Sequence, residues 1–389
     1  MHVSAIILSI TLAAASSQVR DRPPGPPPAM PAAPASDSAT LAAGWNAIAS
    51  GQYAVAVMSA DVVLSRRPWD RAAFVLKIAA LSAVSPVNGL DVYERWVNAK
   101  HADDAGLLEP IAIATLQEIA KGNDPELQRP ALTALAAARV QGVQQALDTL
   151  AAASPDGSAA RDVAAAQTGD PMAIQRLNAA AASPDGATSF LARALAQLGS
   201  AGEAGLLASL RSTNPEIRTV AVKALGGLKS EPARAGLQRM SSDPDPAVRL
   251  WSTVSLARMG DDRALTEVDR ILGSPAPDVQ LAAAQAWEGR PGPWVPIVRT
   301  LLENQDGLTR LEAARTIAPI DPEAARRVLG EGLANPNPVV RLESARVLDS
   351  AGISLLAAVD LPALRQQLRD RDPHVRLAVA SALLKLARS

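Results

Sequence analysis

The stretch Asp243-Pro244-Asp245-Pro246-Ala247-Val248-Arg249-Leu250 (DPDPAVRL) holds two Asp-Pro pairs, an arginine and the start of an apolar run. What it means depends on what stands at a fixed distance from it. Arg218, 31 residues before Arg249, lies in NPEIRTVAVKALGGL, and Gln280, 31 after, lies in APDVQLAAAQAW. The register continues to Arg310 (QDGLTRLEAARTI), Arg341 (NPNPVVRLESARVL) and Arg376 (DRDPHVRLAVASALL), and back through Thr188, Ser158 and Gln128. Self-similarity at a fixed period is the signature of a repeat array. The last step is longer, because extra residues surround AGISLLAAVD (351–360).

Each copy carries a start signal for a helix. Four residues before the reference position stands Asp124, Asn214, Asp245, Asp306, Asn337 or Asp372, and proline follows in all but the Asp306 copy. An Asp or Asn N-cap accepts a bond from a free helix amide, worth about 1 kcal/mol. Proline at the first helical position loses nothing, because its missing N–H has no partner there. An apolar stripe at helical spacing follows. Between these helices lie second amphipathic segments: AGLLASLRS (204–212), RALTEVDRILGS (263–274), WVPIVRTLLEN (294–304) and EAARRVLGEGL (323–333). A unit of two antiparallel helices cannot bury both faces alone, whereas stacked units can. The expected fold is all-α, an α-solenoid (superhelix) of about nine antiparallel helix pairs with a helical N-terminal cap.

Composition agrees. Of 389 residues 48% are hydrophobic but only 3% aromatic, and alanine and leucine favour helix. The net charge of −1 and pI of about 6.4 provide no global basic field for nucleic acid or anionic membrane. With no cysteine, disulfides, thiolate catalysis, thiolate metal sites and a cysteine-linked lipid anchor are excluded.

The pattern Asp/Asn-Pro-x-Val-Arg before an Ala/Leu-rich helix resembles HEAT repeats. The period is closest to the short version named after phycobilisome bilin lyases, and the array is expected over 107–389. The copies at 158 and 188 depart, each with Ser-Pro-Asp-Gly and no reference arginine. The resemblance implies that acidic cap and arginine form a ladder between neighbouring repeats. It thereby assigns structural roles to Asp245, Arg249, Asp306, Arg310, Arg341, Asp372 and Arg376.

The N-terminus, MHVSAIILSITLAAASSQVR, has an apolar core followed by small residues and reads as a signal peptide (1–17), cleaved after Ala15 or Ser17. Its first residues lack Lys or Arg. The expected destination is the periplasm or the exterior, with no membrane insertion after signal removal. The proline-rich stretch 22–38 lies in an extended tether, 18–40. Residues 41–106 are expected to form a tetratricopeptide-like helical segment: Gly44, Gly51, Tyr53, Ala56 and Pro68 fall at similar spacings, with Gly51 at a turn and Ala56 at a close helix approach.

No catalytic, cofactor or metal site is expected. The histidines are His2, His101 and His374; His101 with Asp103 and Asp104 reads as a solvated turn, and His374 as surface. Function is therefore expected on the solvent stripe of the array helices. Positions two, five and nine after the reference lie roughly 140–200° around the helix from the apolar stripe. By family resemblance they line the concave face. The candidate binding residues are Arg193, Lys223, Trp251, Arg258, Glu312, Arg315, Glu343 and Arg346, with Val254 and Gln285 on the same stripe. Trp and Arg dominate binding energy at interfaces, although Glu312–Arg315 and Glu343–Arg346 are also ordinary i,i+3 helix pairs. Trp251 could equally pack on a neighbour such as Trp287. The leading expectation is a non-enzymatic protein–protein interaction scaffold or adaptor, exported, that binds a protein or peptide and no nucleic acid. The alternative is an accessory enzyme or chromophore-handling protein resembling bilin lyases.

Overall fold

The computed structural model describes residues 36–183, 186–287, 290–350 and 361–388, and the regular structure among them is α-helix with two short 3₁₀ turns. The signal segment and nearly all of the tether lie outside the described residues. The first helix, α1 (Asp37–Ala49), starts inside the expected tether, because Ser36 Oγ accepts a bond from Ala39 N at 3.3 Å and caps it. It is followed by α2 (Tyr53–Arg66), α3 (Arg71–Val84) and α4 (Pro86–Lys100). The α1–α2 turn is made by Gly51, whose φ of +71° suits glycine. Ala56 is fully buried.

Nine helix pairs come next among the described residues. Their first members are α5 (Ala105–Ala120), α7 (Val143–Ala153), α9 (Pro171–Ala182), α11 (Glu203–Ser209), α13 (Glu231–Met240), α15 (Asp262–Leu272), α17 (Trp294–Leu301), α19 (Pro322–Leu333) and α21 (Leu361–Gln367). Their second members are α6 (Pro125–Ala137), α8 (Pro155–Gln167), α10 (Ser189–Gln197), α12 (Pro215–Leu228), α14 (Pro246–Arg258), α16 (Pro277–Ala284), α18 (Gly307–Ile317), α20 (Pro338–Ser350) and α22 (Pro373–Ala387), the last helix. The caps fall at the expected positions: Asp124, Asn214, Asp245, Asp306 and Asp372 each accept from a backbone amide two or three residues on. The Ser-Pro-Asp-Gly copies solve the same problem in two ways. Ser154 caps α8 ahead of Pro155, whereas α10 starts late, with Thr188 itself as the cap.

Each second helix packs on the next around the array, while α13, α15 and α17 stand further apart. The second helices therefore line the inside of the curve. One apolar core runs without a break from Phe74 to Leu384, and a smaller one joins α1, α2 and α3.

The solenoid does not end in two free faces. The last helix packs along α5 and touches α6, so the curve returns to its start and closes into a ring. Helix α5 is buried on nearly every side, including Leu107, Leu108, Ile111, Ala112 and Leu116. The last helix contributes Val375, Val379, Ala382 and Leu383, all fully buried. The N-terminal helices thus cover one exposed end by receiving the other. The concave stripe becomes the inner wall of a ring instead of an open face some 70–90 Å long, as nine pairs spaced at about 8–10 Å would otherwise present.

Candidate functional site

Helices α12 and α14 meet closely at Gly226. A Cβ there would sit 2.5 Å from Ser255 Cβ, and Ser255 Oγ donates to Val222 O at 3.0 Å. This approach sets Lys223 beside Trp251, with the ammonium 3.6 Å from the indole ring centroid. A cation in that position is attracted by the negative face of the ring. Trp251 is half-buried beneath the exposed Lys223, so its partner is Lys223.

Helix α18 supplies the second half of the site. Arg315 Nε donates to Glu312 Oε2 at 2.8 Å and Nη2 donates to Oε1. Gln285, at the end of α16, donates to Glu312 Oε1 at 2.9 Å. Glu312 and Arg315 belong to the seventh pair and Lys223 to the fourth, yet a run of contacts joins them: Lys223 lies on Trp251 of α14, α14 packs on the turn at Gln285–Trp287, and Gln285 bonds Glu312; both charges act on the lysine. Glu312 and Arg315 keep 37% and 39% of their side-chain surface, so solvent reaches the ring interior.

The charges tune one another. The surrounding ring wall partly desolvates the Lys223 ammonium, although the side chain still reaches solvent, and holds it below the ordinary lysine range; Glu312 pulls it up and Arg315 pushes it further down. Burial pushes the Glu312 carboxyl up, but the Arg315 hydrogen bond, with Lys223 and Gln285, leaves it below the ordinary glutamate range.

The structure thus brings together Lys223, Trp251, Glu312 and Arg315, with Gln285 holding the carboxylate. Glu343 and Arg346 form their own pair on α20, 3.4 Å apart and about half exposed. Arg193 is exposed on α10 and takes no part in these contacts; Arg258 ends α14, half-buried. Val254 does not belong to the stripe: it is 1% exposed, closed over where α14 meets α12 and the turn at Gln285–Trp287.

The ladder differs from the expected one. In DPDPAVRL, Asp245 caps its own helix, accepting from Ala247 N and Val248 N, and pairs with no inter-repeat arginine among the described residues. The ladder acid is Asp243, two residues earlier. Arg218 of the preceding repeat donates to its two oxygens at 2.9 and 2.8 Å, and Nη1 reaches Ser212 O and Thr213 O of its own turn. Arg341 and Asp370 repeat this arrangement, with Asp372 left as the cap. Arg249 and Arg310 spend their hydrogen bonds on carbonyls of their own turns. In the next repeats the ladder position holds Ser274 and Asn335, which are not acids. Asp306 caps through Thr309. Arg129, one residue off register, pairs with Glu126 of its own helix and reaches Asp156 of the next copy only at 3.8 Å. The signal missed in the sequence is the first acid of Asp-x-Asp-Pro.

His101 ends α4 in the left-handed conformation. Its neighbours are not a solvated turn. Asp103 accepts from Tyr93 Oη at 2.8 Å and from Arg365 at 2.6 Å, and Asp104 caps α5 and pairs with Arg71. His374 Nδ1 lies 3.1 Å from Asp372 Oδ1.

The chain matches the family model described as HEAT repeats over residues 203–288 and 268–349, and a single HEAT repeat over 361–389. Among solved structures it is similar to the complex of CpcE and CpcF of phycocyanin lyase from Nostoc sp. PCC7120, at 22% identity over 54% of this chain and 94% of that one, with a TM-score of 0.32. It is also similar to human deoxyhypusine hydroxylase in complex with glycerol, at 20% identity over 73% and 98%, TM-score 0.33. An engineered protein aligns at 20% identity over 90% and 99%, TM-score 0.28. No curated protein matches the chain.

Proposed function

We propose that this chain, a HEAT-repeat protein, is a non-catalytic binding ring that takes an extended polypeptide segment of a partner on its inner face. The observation that carries this reading is the convergence of Lys223, Trp251, Glu312 and Arg315, joined through the turn at Gln285, on a solvent-reached wall, two of them residue types that dominate interface energetics. A ring interior favours an extended segment over a bulky folded partner. A scaffold role is favoured over catalysis because Glu312, the carboxylate of this group, is already committed to hydrogen bonds from Arg315 and Gln285.

We place the mature protein outside the cytoplasm, on the strength of the apolar N-terminal stretch. No helix among the described residues is long and apolar enough to cross a membrane. N-terminal sequencing of protein recovered from outside the cytoplasm tests this; processing after Ala15 or Ser17 is the expected result. The binding reading is tested by crosslinking capture with native chain, Trp251→Ala and Arg315→Glu. Both variants are expected to lose the captured partner while keeping native helicity and melting. Retention equal to the native chain by both variants removes the inner face as the site.

A further inference from the structure

We propose that the ring interior contains a carboxylate subsite, in which an Asp or Glu side chain of the bound segment sits between Lys223 Nζ and the guanidinium of Arg315, with its carbon stem against the Trp251 indole. This deepens, and rests on, the inner-face reading above. Lys223 makes its contact with an aromatic face, and no carboxylate pairs with it among the described residues. Glu312, the acid whose charge it feels, is held away by three bonds from Arg315 and Gln285. Arg315 spends Nε and Nη2 on Glu312, which leaves Nη1 without a partner among the described residues. Two cations and one carboxylate leave one positive charge, and a single added carboxylate balances it. The Glu343–Arg346 pair beside it is neutral as a pair, and its Glu343 also acts on Arg315 without bonding to it among the described residues. The indole and the lysine stem form an apolar wall, which suits a carboxylate carried on methylene groups better than a bare inorganic anion. The anchors are already fixed, Lys223 by the Gly226–Ser255 approach and Arg315 by Glu312, so little ordering cost falls on binding.

The test uses the full chain and three labelled decapeptides blocked at both ends, alternating alanine with glutamate, glutamine or lysine. Binding is followed by fluorescence anisotropy at low and moderate salt. The glutamate peptide is expected to bind at least about tenfold more tightly than the glutamine peptide, the scale of one charge-assisted contact. Lys223→Gln and Arg315→Gln should each remove most of that preference. Lys223→Arg should retain it, which separates a charge role from a packing role. Arg239→Gln on the exposed outer face of α13 changes net charge equally and should leave affinity unaltered. Equal losses in all three Gln variants would show a diffuse field and overturn the proposal. So would a glutamate peptide that binds no better than its glutamine counterpart. If the glutamine or lysine peptide binds best and still depends on Trp251, the inner-face reading stands and the carboxylate subsite falls. If no peptide binds, both fall.

Discussion

Arg388, just past the last helix, donates to the Glu109 carboxylate in α5 at 2.8 Å, across 279 positions of sequence. Three more arginines of the last repeat meet acids of the first helices: Arg365 with Asp103, Arg369 with Asp91 and Glu94, and Arg376, more loosely, with Glu118. In each of these pairs the cation comes from the last repeat and the acid from the opposite side of the seam. The apolar packing of α5 on the last helix closes the ring, and the charges set its register.

The seam predicts a charge-swap rescue. Glu109→Arg or Arg388→Glu alone should cost about 1 kcal/mol, because the pair is partly exposed. The double swap should recover most of this in a double-mutant cycle on chemical denaturation. The native chain has no cysteine, so Glu109→Cys with Arg388→Cys introduces a unique pair. A short bismaleimide should join it into a circular species with altered gel mobility. Failure of this intramolecular crosslink in the folded double variant would mean an open solenoid.

Ladder arginines and clamp arginines should separate in stability. Arg218 is buried against a buried acid, so Arg218→Met leaves Asp243 charged and unpaired, at about 3–5 kcal/mol. Arg249→Met loses only hydrogen bonds to two carbonyls near the surface, about 1–2 kcal/mol. Equal denaturation midpoints for the two variants would contradict the assignment of Asp243 as the ladder acid.

The same pair has a pH signature. Burial pushes the Asp243 carboxyl up, but Arg218, the Asp245 amide and Arg249 hold it below the ordinary value of 3.8. A depressed folded-state pKa contributes stability that is present above the unfolded value and lost as pH falls through the folded one. Native chain should therefore lose stability below about pH 4, and Asp243→Asn, already weaker at neutral pH, should show a shallower acid slope. Denaturation series between neutral pH and the acid limb check this.

Lys223 predicts the opposite slope. Its folded pKa is lowered, chiefly by partial desolvation of the ammonium at the ring wall, so the unfolded chain binds the proton more tightly. Its contribution to stability should rise as pH climbs toward the ordinary lysine value of 10.5. Lys223→Met should be more stable than native at neutral pH, with the difference shrinking in alkali. A pH-independent difference between the two chains would remove the desolvation argument.

Gly226→Ala tests the approach that builds the site. Alanine at a helix interior ordinarily gains up to about 1 kcal/mol over glycine. Here the added Cβ meets Ser255, including its Cα at 2.9 Å, so α12 and α14 must part. The expected outcome is a net loss of stability together with weaker partner binding. A stabilised variant with native binding would show that the contact is dispensable.

Much of the architecture was legible because its signals are local. Asp245, Pro246 and the apolar stripe behind them act within one or two helical turns, and so do the equivalents at Asp124, Asn214 and Asp372. The stripe positions of Lys223, Trp251, Glu312 and Arg315 could be read from helical period alone. The stripe rule failed at Val254, where neighbouring helices rather than periodicity decide exposure. It also could not show which of eight candidate residues meet.

DPDPAVRL divides along the same line. Asp245 and Pro246 are readable as a helix start, since their partners are two or three residues away. Asp243 depends on Arg218, a whole repeat earlier, and only the stacking of two pairs brings the guanidinium to it. Ring closure, the face-to-face placement of Lys223 and Arg315, and the Arg388–Glu109 bond depend on more still. Each arises from a small rotation per pair summed over many pairs, a quantity that no single copy of the repeat contains.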